Sequence, residues 1–225
     1  MKAAVTIPGW IRRRFVTAVL ACGVLLMLPA VRGADPVAAR SIVFLGDSLA
    51  AGLGLDPSEA FPSLIQKKIE AAGWNYRVVN AGVSGDTSAD GLGRIGWLLK
   101  QRIDVLVLEL GGNDGLRGIQ VAATKTNLQA VIDRVKQKYP LAQIIVVGMQ
   151  MPPNMGEEYN AAFRNIYPGL AATNHTALVP FLLEGVGGRP ELNQPDHVHP
   201  TAEGHKIVAD NVWKVLKPIL ERMNP

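Results

Sequence analysis

Short apolar runs alternate with amphipathic stretches along most of this chain, and that alternation restricts the fold more than any other feature. Residues 41–45 (Ser-Ile-Val-Phe-Leu), 105–110 and 144–147 are almost continuously apolar and end at or near glycine. Strands of that kind are covered on both faces, whereas a strand with one wet face alternates polar and apolar residues. Residues 76–79 and 177–179 read as two further strands. Between them, helical spacing predicts helices over 57–72, 88–100, 121–138, 159–172 and 202–220. Pro168 is expected to bend or end the fourth helix, and Pro218 is a candidate interruption of the fifth. Helices between buried strands predict an α/β fold: a three-layer α/β/α sandwich around a five-stranded parallel sheet. Such sheets bind ligands beyond the carboxyl ends of their strands, so the loops after each strand matter most.

The first 33 residues follow a different plan. Lys2, Arg12, Arg13 and Arg14 precede an apolar run over 15–28, then Pro29 and a small-residue stretch ending at Gly33. That is the layout of a secretory signal peptide, and the run is shorter than the ~20 apolar residues of a membrane-spanning helix. The segment 12–16 (Arg-Arg-Arg-Phe-Val) fits a twin-arginine or a Sec route equally, and Cys22 reads as an ordinary leader residue. The expected organisation is a signal peptide over 1–33 and one domain over 34–225, periplasmic or secreted as a monomer with no stable membrane anchor.

Loss of the leader changes the charge balance. The chain has 23 basic and 19 acidic residues, and the leader holds five basic ones (Lys2, Arg12, Arg13, Arg14, Arg32) and no acid. Removing five of 23 leaves 18 basic against 19 acidic residues, a formal charge of −1 in place of +4. The basic excess is therefore no sign of nucleic-acid binding. The only cysteine leaves too, so the mature chain can form neither a disulfide nor a cysteine metal site.

The post-strand loops hold the chemistry. They are Gly46-Asp47-Ser48-Leu49, Ser84-Gly85-Asp86-Thr87 and Gly111-Gly112-Asn113-Asp114, while Asp196-His197-Val198-His199-Pro200 precedes the last helix. A serine nucleophile needs a base in reach and an orienting partner for the base. The three-residue spacing lets Asp196 accept a proton from one ring nitrogen of His199, leaving the other for Ser48. Oxyanion donors are available from the N–H groups of Ser48 and Gly85 and the Asn113 amide. Asp47 and Asp114 read as loop hydrogen-bond acceptors, and Asp86 and Thr87 as turn or helix-cap residues. The His197-x-His199 pair would need a third ligand to hold a metal, and none is identifiable. His175 and His205 read as surface or helix residues. Met149 to Met155, with two prolines, could line an acyl site or simply pack as a loop; Met151, Pro153, Met155 and Leu116 are the candidate wall residues.

The four segments, in this order, resemble the motif blocks of the SGNH, or GDSL-type, hydrolases, with a match from about residue 41 to 210. Residues 80–88 and 109–118 are especially similar to the bacterial thioesterase I/lysophospholipase/arylesterase branch. The resemblance implies a flavodoxin-like sheet, activity on acyl esters and thioesters, and no metal or organic cofactor. It also implies Ser48, Gly85, Asn113 and His199 as the catalytic quartet, with Asp196 completing the triad, and it favours His199 over His197 as the base. A carbohydrate O-acetylesterase is the alternative within the same motif set. A flavodoxin-like binding module is the non-enzymatic alternative, disfavoured by Asp47 in the loop where a phosphate would sit.

Overall fold

Five strands, all parallel, lie in the order β2-β1-β3-β4-β5. They are β1 (Arg40–Gly46), β2 (Tyr76–Gly82), β3 (Val105–Glu109), β4 (Gln143–Val147) and β5 (Ala177–Val179). The computed structural model describes residues 38–224, so the leader and its cleavage site lie outside the described residues. β1, β3 and β4 are buried along nearly their whole length, as their apolar runs predict. β2, at one edge, carries exposed residues such as Arg77 and Asn80. The strand order is the doubly wound flavodoxin type, whose chain direction switches between β1 and β3. The carboxyl ends of these two strands are in register at Gly46 and Glu109.

Eight α-helices complete the described chain: α1 (Ser48–Ala51), α2 (Phe61–Ala71), α3 (Ser88–Leu98), α4 (Gly112–Leu116), α5 (Val121–Lys138), α6 (Glu157–Arg164), α7 (Ile166–Asn174) and α8 (Ala202–Met223). α2 packs with α8, and α3 with α5, so helices cover the sheet in two layers. The core joins Ile42, Phe44, Val107 and Ile145 of the sheet to Phe61, Ile65, Ile95, Val131, Val212 and Leu216 of the helices. Among the described residues no helix is long and apolar enough to cross a membrane.

Several boundaries differ from the sequence expectations, each for a physical reason. α2 begins at Phe61 rather than Pro57, because Asp56 accepts the Ser58 N–H and turns the chain first. The 159–172 helix is two helices that meet at Asn165. A proline ring clashes with the carbonyl four residues back, here Arg164, so Pro168 ends α6 and sits in the first turn of α7. α8 runs through Pro218 without interruption. Buried Leu216, Ile219 and Leu220 dock the helix on both sides of the missing N–H. Thr87 caps α3 as expected, with Asp90 closing the reciprocal box.

His205 is a helix residue, but a buried one, 1% exposed. Ala60 offers no side-chain cap to α2, and His205 Nδ1 instead accepts the Phe61 N–H at 3.1 Å. Burial, helped by the charge of His199, pushes the His205 imidazole down to about 4. Its ordinary value is 6.5, so the unfolded chain takes up this proton first. Stability contributed by neutral His205 is therefore present above pH 6.5 and declines as pH falls toward 4. His205→Leu should leave Phe61 N–H unpaired and cost about 1–3 kcal/mol at neutral pH. Urea unfolding at pH 7.5 and pH 5 checks this: the wild-type loss between the two should shrink in the variant.

Candidate active site

Ser48 is the first residue of α1, immediately beyond β1, and is 7% exposed. The turn is made by Asp47, whose carboxyl accepts the Leu49 N–H at 3.0 Å and caps α1. Its side chain is buried, as 2% exposure shows, and burial raises its carboxyl to about 6 despite that hydrogen bond and the charge of His199.

The histidine arrives from the far end of the chain. In the loop before α8, Asp196 Oδ1 accepts the N–H groups of Val198 (2.9 Å) and His199 (3.0 Å). Asp196 Oδ2 lies 2.6 Å from His199 Nδ1, and His199 Nε2 lies 2.8 Å from Ser48 Oγ. The two backbone donors, followed by the imidazole, hold the Asp196 carboxyl down at about 2. An ionised Asp196 requires the proton on Nδ1, which leaves Nε2 to accept from the Ser48 hydroxyl. The loop is pinned from outside: Gln194 Nε2 donates to Leu53 O (2.7 Å) and Pro200 O (3.0 Å), and Gln194 N donates to His199 O (2.7 Å). His197, in the left-handed region at φ 60°, makes the bend.

The remaining sequence candidates fall at three depths. Asn113 is in α4 and lines the cavity beside Ser48. Its Nδ2 donates to Asp86 O at 2.9 Å and lies 3.3 Å from Asp47 Oδ2. Gly85 sits outside the cavity lining, in an exposed turn at φ 87°, with its carbonyl held by Arg117 Nη2 at 3.0 Å. Asp114 is a buried acceptor for Ser88 and Thr124, which fits its reading as a loop acceptor. His197 lines the cavity, but both ring nitrogens of His199 are engaged by Asp196 and Ser48. The His-x-His pair therefore presents no shared ligand face.

A cavity of about 500 Å³ opens beside Ser48 and His199. Leu116, Met151 and Pro153 line it, whereas Met155, at the end of the 3₁₀ turn Pro153–Met155, does not. Met151 is seated across α4, where a β-carbon on Gly115 would collide with its thioether. Sequence reasoning missed Phe181 and Leu183, which line the cavity from the loop after β5. That loop follows a predicted strand end, which is the signal that could have found them.

A family model described as the GDSL-like Lipase/Acylhydrolase family matches residues 44–207, a span that includes every residue of this arrangement. The chain belongs to this family. Esterase TesA of Pseudomonas aeruginosa is 45% identical over 184 residues, covering 81% of this chain and 90% of that protein. Thioesterase 1/protease 1/lysophospholipase L1 of Escherichia coli strain K12 is 41% identical over 184 residues, covering 81% and 86%. A crystal structure of TesA superposes with a TM-score of 0.77 at 44% identity, covering 80% of this chain and 99% of the other. As a member of the GDSL-like acylhydrolases, the chain is an ester-cleaving hydrolase, and the binding-module alternative falls away.

Proposed function

We propose that the protein hydrolyses medium- to long-chain acyl esters and thioesters through an acyl-enzyme on Ser48, outside the cytoplasm after loss of residues 1–33. The observation that carries this reading is the unbroken chain from Ser48 Oγ to His199 (2.8 Å) to Asp196 (2.6 Å). As Ser48 Oγ bonds to the acyl carbon, its proton passes to His199 Nε2. Asp196 stabilises the imidazolium from the Nδ1 side. The carbonyl oxygen becomes an oxyanion that accepts from the Ser48 N–H, which has no intrahelical acceptor at the first position of α1. The Asn113 amide is the second donor, with substrate replacing its longer contact to Asp47. The third is the N–H of Gly85, which is outside the resting cavity lining but in the turn whose next carbonyl, Asp86 O, Asn113 holds beside the site. His199 then gives its proton to the departing alkoxide or thiolate. Water, deprotonated by the same nitrogen, attacks the acyl carbon and frees the acid and Ser48.

The acyl-chain preference rests on the cavity. Leu116, Met149, Met151, Phe181 and Leu183 offer apolar surface that an acetyl group alone would leave unfilled. Each buried methylene is worth ~0.8 kcal/mol, so a few of them suffice for a tenfold preference. The names of the two bacterial relatives, an esterase and a thioesterase/lysophospholipase, support the same class. Chromogenic esters and acyl thioesters from two to twelve carbons, assayed on residues 34–225, test the reading. The expected result is turnover of both bond types, with kcat/KM at eight carbons at least ~10-fold above acetyl. Deacetylation of sugars with no turnover of longer chains would overturn it in favour of a carbohydrate O-acetylesterase.

A further inference from the structure

Directly beneath the Ser48 turn lies an acid that the catalytic cycle above does not use. Glu109, the last residue of β3, is 1% exposed and stands in register with Gly46 at the end of β1. Its Oε2 accepts the Asp47 N–H, one residue before Ser48, at 3.2 Å. A β-carbon on Gly46 would collide with Glu109 Oε2 and with the Ala50 side chain. The glycine of Gly46-Asp47-Ser48 thus leaves the room into which the Glu109 carboxyl fits.

We propose that Glu109 is the positioning residue of the nucleophile turn: its carboxyl, seated against Gly46, holds the Asp47 N–H just before Ser48 and so fixes where Oγ meets His199. The inference rests on Ser48 being the nucleophile. The form that does this is the neutral acid. No lysine, arginine or histidine among the described residues bonds to Glu109. Arg94, on α3, is committed to Asp86 (2.6 Å) and to the Gly46 carbonyl (2.9 Å). The other ionisable groups around it are Asp47 on the turn itself and Tyr167 on α7, whose hydroxyl donates to Leu110 O at 3.3 Å. Neither can neutralise a carboxylate. Burial first, and the Asp47 charge second, push the Glu109 carboxyl well above its usual range. A carboxyl raised in the folded state favours the fold below its unfolded value and loses that contribution as pH rises through the folded one. Ionisation of Glu109 would place a second uncompensated charge beside Asp47 and disturb the turn.

The test is the pH dependence of kcat and KM for wild type, Glu109→Gln and Glu109→Leu, with fluorophosphonate labelling rates measured on the same samples. Glutamine keeps an acceptor for the Asp47 N–H and cannot ionise. Wild-type kcat should decline at alkaline pH, whereas Glu109→Gln should lack that decline and hold kcat within ~3-fold of wild type at neutral pH. Glu109→Leu should lower kcat and the labelling rate at least ~30-fold with KM within ~3-fold, the loss expected when an interaction acts on the reacting atom's position. A leucine variant with wild-type kcat, a glutamine variant as impaired as leucine, or a wild-type alkaline decline that persists in Glu109→Gln would each overturn the proposal. Should the leucine variant fail to fold, the glutamine profile decides alone. If wild type is not labelled at Ser48, the nucleophile assignment fails instead, which separates the two conclusions.

Discussion

Replacing Ser48 with alanine is expected to lower kcat on a chromogenic ester by about 10⁴- to 10⁶-fold while leaving the unfolding midpoint in urea nearly unchanged. Both halves follow from the geometry. Ser48 Oγ has His199 Nε2 as its hydrogen-bond partner, and the hydroxyl is the only atom the substitution removes. The turn is held by groups that stay: the Asp47 cap on Leu49 and the Glu109 grip on Asp47. A variant that unfolds earlier and loses activity in proportion would mean that Ser48 supports the fold rather than the reaction.

The turn that carries Ser48 shows how unevenly the sequence reveals its structure. Helix α5 is legible at both ends, because eighteen residues give Leu128, Val131, Ile132 and Val135 time to declare one buried face. α1 and α4 have four and five residues, too few for any period, and their Gly-Asp-Ser and Gly-Gly-Asn-Asp segments read as plain loops. The Asp196-x-x-His199 spacing is local and readable. Its placement against a serine 151 positions away is not, since it depends on the Gln194 bonds to Leu53 and Pro200. Glu109 carried almost no signal: one acid after four apolar residues reads as a strand end, and only the sheet register puts it under Ser48. The cap of α2 by His205 is hidden in the same way, being a contact across 144 residues.

The second large effect is on His199. His199→Ala should cost about as much as Ser48→Ala, and the double variant should cost little more than either alone, because the two groups act as a unit. Asp196→Asn separates orientation from proton transfer. The carboxylate accepts two backbone N–H groups and the imidazole, and asparagine can turn a donor toward Nδ1 and favour the wrong tautomer. For a fully buried aspartate that change costs roughly 10⁴ in kcat. The Asp196 side chain is 47% exposed, so water takes over part of its role, and a loss of about 10²–10³ is expected. Because Asp196 is held near 2, its contribution should persist through mildly acid pH and fail only as pH falls toward that value. Single and double variants assayed side by side give the comparison; multiplied losses in the double variant would show that the two side chains act independently.

One covalent bond decides whether Ser48 is the nucleophile. Incubating residues 34–225 with a fluorophosphonate and locating the adduct by peptide mass spectrometry asks directly which atom attacks an acyl-like centre. The structure predicts a single adduct, on Ser48, absent from Ser48→Ala and much slower in His199→Ala. An adduct on another hydroxyl, or an enzyme that turns over esters at full rate while Ser48 stays unmodified, would contradict it.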